Sequence, residues 1–338
     1  SIGFDPDSLQ TTGTPRPVRD DVLWSAAGYP QFAVDAGMLV YLRTTHGSSK
    51  LGNSVLAWVD RKGRRTILPL EANEFELPRL SPSGDRLVVQ IGANRDLWTY
   101  DVRRGTFTPL TSNRVIARSA PVWTRNGSWV AFITWFDGEV GLGWLPADGS
   151  GRVEELIKGV GIRSFERTNP AMLPDGSGLI LTGLAPGTTT EDLLFVSLNR
   201  ERRVEPLFQA PGIERNAAIA PNGRFIAYNS DESRRAEVYV RPFPNVSAGK
   251  WQISTEGGTG PVWTRGGSEI VYKDSQGRLM AVAVRSAADE PFDHSKPEPL
   301  FEIGPTTDSG LDRDWDVTAD GDRFLMRVGE SIAKGRTT

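Results

Sequence analysis

One hairpin, written several times over, limits what this chain can become. At Pro170-Ala-Met-Leu-Pro-Asp-Gly-Ser-Gly-Leu-Ile-Leu181 an apolar strand runs into Pro174-Asp175-Gly176, and a second apolar strand leaves it. Proline presets the first turn angle, and glycine takes the positive φ that a type I turn with a following bulge requires. The phrase recurs around Gly84, Gly127, Gly223, Gly267 and Gly321, with a weaker copy at Gln31-Phe-Ala-Val-Asp-Ala-Gly37. Successive turn glycines are 47, 43, 49, 47, 44 and 54 residues apart. A repeat of about 40 to 50 residues without helical periodicity is the mark of a propeller blade of four short strands.

Seven such turns predict an all-β, seven-bladed β-propeller of four-stranded antiparallel blades, filling 1–338 as one domain. The blades are expected over 29–70, 77–111, 119–158, 167–208, 215–254 and 259–302. The closing blade has only the hairpin within 314–328, followed by a polar tail, 329–338, that reads as frayed. Its missing strands are expected from 1–18, where Ile2-Gly-Phe4 and Pro15-Arg-Pro-Val18 look like the outer strands before it. Pairing head with tail would close the ring and remove two unpaired edges. Trp123 and Trp263, each four residues before a turn glycine, are placed to fill the space between blades.

Composition narrows the chemistry. With no cysteine, disulfides, thiolate catalysis and zinc-thiolate sites are excluded. A formal charge of −3 argues against a nucleic-acid partner. No apolar run approaches the roughly 18 residues of a membrane span, so membrane attachment is expected only through flanking segments outside 1–338. The chain begins at Ser1 and reads as a piece of something longer, monomeric when isolated. His46 and His294, the two histidines, fall in polar loops, and no Gly-x-Ser-x-Gly elbow accompanies them. No catalytic residue is assigned, and the chain is expected not to be an enzyme. No cofactor is expected either. The one run that could hold a metal, Ca²⁺, is Asp308, Asp312 and Asp316 with Asp314 between; Arg313 inside it opposes a cation, and a solvated acidic loop is the plainer reading.

In a propeller, the segments leading into the innermost strands converge on one mouth of the central channel. Here they bring Glu76, Arg118, Arg167, Arg215, Arg313 and Asp314 together. Arginines from four blades could hold a carboxylate or phosphate through paired N–H bonds, which makes a peptide, a protein or an anionic small ligand the expected partner. Alternatively they pair with the neighbouring acids and seal the channel.

The phrases Pro121-Val-Trp-Thr-Arg-Asn-Gly127 and Leu80-Ser-Pro-Ser-Gly-Asp-Arg86 resemble the Ser-Pro-Asp-Gly repeats of TolB-type propellers, also found in prolyl-oligopeptidase-type peptidases. Phe4-Asp-Pro-Asp7 with Thr12-Gly-Thr-Pro15, Leu39-Val-Tyr41, Trp58-Val-Asp-Arg-Lys-Gly63 and Asp316-Val-Thr-Ala-Asp-Gly-Asp-Arg-Phe-Leu-Met326 are similar to the propeller that follows the membrane helix in many bacterial serine/threonine receptor kinases. That resemblance implies a periplasmic or cell-surface sensor domain without catalytic residues of its own. The alternatives are a propeller lyase or glycosidase working in the channel, or a peptidase propeller without its hydrolase domain.

Overall fold

The computed structural model describes residues 53–92, 95–111, 121–158, 169–184, 190–199, 202–286, 291–303 and 313–329, and, nearer the N-terminus, the strands within 3–5, 10–12, 32–35 and 38–41. The chain divides into two compact units, 1–52 and 53–338.

The larger unit is a propeller of six four-stranded antiparallel blades, the first five of them meanders from the inside outward. Blade 1 uses Phe75–Leu80, Arg86–Ile91, Asp96–Asp101 and Thr106–Pro109. Blade 2 runs from Val122–Trp123 to Glu154–Lys158, blade 3 from Ala171–Met172 to Val204–Pro206, and blade 4 from Glu214–Ile219 to Trp251–Gln252. Blade 5 runs from Thr259–Thr264 to Glu298–Glu302, with an added strand, Asp293–His294, on the far half of its long third strand. Helix is confined, among the described residues, to one 3₁₀ turn at Arg265–Gly267.

Blade 6 corrects the sequence reading. Its inner hairpin is Trp315–Val317 and Arg323–Gly329, as the repeat requires, but its outer strands are Ser54–Asp60 and Arg65–Ile67, not 1–18. Seven residue pairs join the two ends of the unit, from Arg323↔Asp60 to Gly329↔Ser54. The ring therefore closes, but with six blades rather than seven. Residues 54–67, expected as the outer half of a first blade over 29–70, belong to the last. In the N-terminal unit Phe32–Asp35 pairs only with Met38–Tyr41 and Gly3–Asp5 only with Gln10–Thr12, among the described residues. Counting turn glycines counts hairpins; nothing in the turn says which outer strands a hairpin recruits.

The turns themselves follow the sequence. The glycines at 84, 127, 176, 223, 267 and 321 all take positive φ, from 66° to 96°. In four of these turns the residue before the glycine is Asn or Asp, and its carboxyl or amide oxygen accepts the N–H two residues on, as at Asp175 to Ser177 (3.0 Å). Second strands such as Leu87-Val-Val89 and Gly178–Gly183 are buried on both faces because each blade is covered by another on either side. Six apolar clusters fill the six junctions. Trp123 and Trp263 are 6% and 8% exposed, and each indole donates to a backbone carbonyl of the preceding blade, Arg79 (3.1 Å) and Ala218 (3.0 Å). The apolar bodies fill the gap, and the one polar atom is satisfied.

Candidate functional site

The innermost strands of blades 1, 4 and 5 carry the same irregularity. A β-bulge shifts register after Glu76, Arg215 and Thr259, and the next residue, Leu77, Asn216 or Gly260, has φ between 50° and 62°. A bulge turns a backbone N–H out of the ladder. At the mouth two of those N–H groups are taken by side chains of the preceding blade: Leu77 N–H donates to Asp314 (3.2 Å) and Gly260 N–H to Asn229 (3.3 Å). One pleat deeper, Leu80 N–H donates to Asp316 (2.8 Å).

Four of the expected mouth residues are described, and each has an oppositely charged partner. Arg215 places both Nε (2.7 Å) and Nη2 on Glu191 of blade 3. Asp314 accepts Nε (3.1 Å) and Nη2 (2.6 Å) of Arg327, a side chain only 5% exposed. Glu76 lies 3.6 Å from Arg95; burial pushes its carboxyl above the ordinary range, with Arg95 opposing and Asp314 adding to the rise. Arg313, like Glu76, has only a long ion contact among the described residues. Its Nη2 is 3.5 Å from Asp316 and its guanidinium 5.9 Å from the Trp315 ring, while its buried Nε has no acceptor among the described residues. Burial lowers the Arg313 pKa, with Asp316 opposing. Arg118, Arg167, Asp308 and Asp312 lie outside the described residues. Asp316 already meets the Leu80 N–H and Arg313, and no three His, Cys, Asp or Glu residues are grouped to hold a metal among the described residues.

Sequence reasoning missed a polar line deeper in the channel. Arg79, 5% exposed, donates Nη1 to its own Pro78 carbonyl (2.7 Å) and Nη2 to Asn169 of blade 3. Asn169 donates to Asn216, and Asn216 to Asn229 (2.9 Å). Guanidinium and side-chain amides thus link blades 1, 3 and 4. The signal was partial: counting six residues on from the turn glycines gives the polar Gln90, Thr182, Asn229, Lys273 and Arg327 and the apolar Ile133, and of the line itself it finds Asn229 alone.

A second cluster beside the mouth is acidic. Asp192 and Glu214 are 1% and 0% exposed, at the starts of a blade 3 and a blade 4 strand. The Ser230 hydroxyl donates to Glu214 Oε1 (2.7 Å), while the buried Glu214 Oε2 and Asp192 Oδ2 have no hydrogen-bond partner among the described residues. Burial raises both, Glu214 to about 7. His294, by contrast, is a strand-edge residue: Nδ1 meets the Ser295 carbonyl (2.9 Å) and the ring packs 6.0 Å from Phe292. His46 lies outside the described residues.

No protein-family model matches the chain, and no curated protein matches it by sequence. Solved propellers are similar in fold. A structure described as TolB from Agrobacterium tumefaciens is 15% identical with a TM-score of 0.60, covering 82% of this chain and 98% of its own. The Cps50 (Swd1) propeller domain of Myceliophthora thermophila is 12% identical, TM-score 0.51, over 68% and 73%. The oligogalacturonate lyase of Vibrio parahaemolyticus is 11% identical, TM-score 0.52, over 80% and 81%. What these proteins share with the chain is the propeller, an architecture that hosts binders and enzymes alike. No helix among the described residues is long and apolar enough to cross a membrane.

Proposed function

We propose that the chain is a non-catalytic binding propeller, the extracytoplasmic sensor domain of a bacterial serine/threonine receptor kinase, and that it takes an anionic small ligand or an acidic peptide at the channel mouth. The observation carrying the ligand reading is Arg313, whose buried Nε–H has no acceptor and whose only carboxylate contact is long, both among the described residues. A buried donor left unpaired costs about 1–3 kcal/mol, which a carboxylate or phosphate oxygen would recover. Arg215 and Arg327, by contrast, are already engaged with Glu191 and Asp314 and would hold the walls rather than the ligand. The receptor reading rests on the resemblance of residues 4–15, 39–41, 58–63 and 316–326.

Titration with inorganic phosphate and with a hexaglutamate peptide tests the mouth. Saturable binding of at least one, abolished by Arg313→Gln at unchanged melting temperature, is the expected result; equal binding by the variant removes Arg313 from the site. The upstream reading frame tests the receptor reading independently: it should encode a kinase catalytic domain followed by an apolar span of about 20 residues. A frame with neither overturns it.

A further inference from the structure

The inner hairpins turn at the end of the propeller opposite the mouth, and adjacent turns touch. A Cβ on Gly127 would meet Pro82 at 3.7 Å, one on Gly267 would meet Pro221 at 3.3 Å, and one on Gly321 would meet Arg265 at 3.1 Å. In each pair the neighbour stands two residues before the turn glycine of the preceding blade. Blades 2 and 3 are bridged instead by Arg125 Nη1, which donates to the Pro174 carbonyl (2.5 Å). A Cβ on Gly84, Gly176 or Gly223 would meet nothing within 4 Å among the described residues, and beside Gly223, between blades 3 and 4, the gap opens into a cleft of about 730 Å³.

The cleft has an apolar floor. Phe195, Leu207 and Phe243 are half-buried and pack on the blade 3–4 core of Leu173, Ile226 and Tyr228. Phe195 lies over Gly178, where an added Cβ would come within 2.5 Å of the ring, so the glycine is what lets the ring lie down. Pro206 and Pro244 are exposed at the sides. Three charged groups stand at the rim: Asp175, Glu205 and Arg125. Arg125 is tied to the Pro174 carbonyl. The Ser177 N–H and hydroxyl hold Asp175 below the ordinary carboxylate range. The rim is acidic over an aromatic and aliphatic bed.

We propose that this cleft docks a short extended peptide segment of a partner protein, with one bulky apolar side chain on Phe195, Leu207 and Phe243 and an adjoining lysine or arginine facing Glu205 and Asp175. The volume falls within the roughly 300–1,000 Å³ of ligand-sized pockets, which suits a few residues and not a domain face. Proline-rich walls lose little freedom on binding. Two carboxylates against one engaged guanidinium set the sign of the partner's charge.

The probe is a fluorescein-labelled peptide, acetyl-Gly-Leu-Phe-Lys-Arg-Gly-amide, alongside a twin with Glu-Asp in place of Lys-Arg, followed by anisotropy. The basic peptide should bind saturably, about tenfold or more tighter than its twin. Glu205 is exposed on the outer strand, so Glu205→Lys should keep the melting temperature, weaken the basic peptide about fivefold and narrow the gap between the two. Leu207→Asp should weaken both peptides, and Arg313→Gln at the opposite end neither. Equal affinity for the two peptides, absence of saturable binding by either, or a preference unmoved by Glu205→Lys overturns the proposal.

Discussion

The junction of blades 3 and 4 and that of blades 4 and 5 are built from the same strand positions and end differently. At the mouth side of the 4–5 junction, Glu237 opens the third strand of blade 4 and is fully capped. It accepts the Gly257 N–H (3.1 Å to each oxygen), the Ser254 hydroxyl and Arg235. The matching residue one junction back is Asp192, and what faces it is a second carboxyl, Glu214. At the turn side, Phe225, Trp251 and Phe292 close the 4–5 junction with ring centroids 4.7–6.2 Å apart, and Pro221 packs on Gly267. The 3–4 junction has neither contact, and a cleft stands there. A repeat specifies its blades one at a time; specificity is written where one junction departs from the shared plan.

The largest expected difference is in packing. Phe292 is 7% exposed and belongs to the 4–5 cluster, so Phe292→Ala should cost about 3–5 kcal/mol in urea unfolding. Phe195→Ala, on the open side, removes a half-buried ring and should cost about 1 kcal/mol. Similar losses at both sites would mean that the 3–4 cleft is as tightly packed as its neighbour, and the contrast would fail.

The mouth sides should separate by pH. Glu214 has its folded pKa raised to about 7, above its unfolded value of about 4.5, so the folded state prefers the protonated form. That preference is fully present below pH 4.5 and is lost as pH rises through 7, and the raised carboxyl of Asp192 acts in the same direction. Stability should therefore fall by roughly 2–3 kcal/mol between pH 4.5 and 7. Glu214→Gln keeps a neutral group beside Asp192 and should flatten that slope. A variant as pH-dependent as the parent would place the titration elsewhere.

How far the sequence reaches depends on whether a feature is local. The turn glycines were legible because only glycine takes φ near 70° without strain, and Trp123 and Trp263 because a large ring at a fixed offset has one place to go. The blade count was not. The hairpin at 32–41 carries the inner-strand pattern but pairs with no outer strand among the described residues, while 54–60 reads as an outer strand with no local mark of its partner. That pairing is decided across more than 260 residues of chain, by a ladder that buries Leu56 and Val59 against Phe324, Leu325 and Met326. At the mouth, the register of Glu76, Arg215 and Arg313 followed from counting back from the turns. Their partners Arg95 and Glu191 come from other loops and had no signal. Nor did the bulge at Leu77, where a branched side chain sits at φ 50°, whereas Gly260 announces its own.

The smallest effect sharpens the comparison most cleanly, because it changes one methyl group at each junction. Gly223 and Gly267 are equivalent turn residues at φ 71° and 96°, so alanine at either pays the left-handed penalty of roughly 1–2 kcal/mol. At Gly223 nothing lies within 4 Å of the new methyl, and the backbone term should be the whole cost. At Gly267 the methyl would also meet Pro221 at 3.3 Å, closer than ordinary van der Waals contact, and the two blades must part slightly to admit it. Gly267→Ala should therefore unfold at lower urea than Gly223→Ala, by a further ~1 kcal/mol or less. The reverse order would require the turns of blades 3 and 4 to close on each other in solution, which would also shut the cleft beneath them. Gly267 also has the wider φ, in a turn that already holds Arg265 and Gly266 at positive φ, so backbone strain and blade spacing push the difference in the same direction.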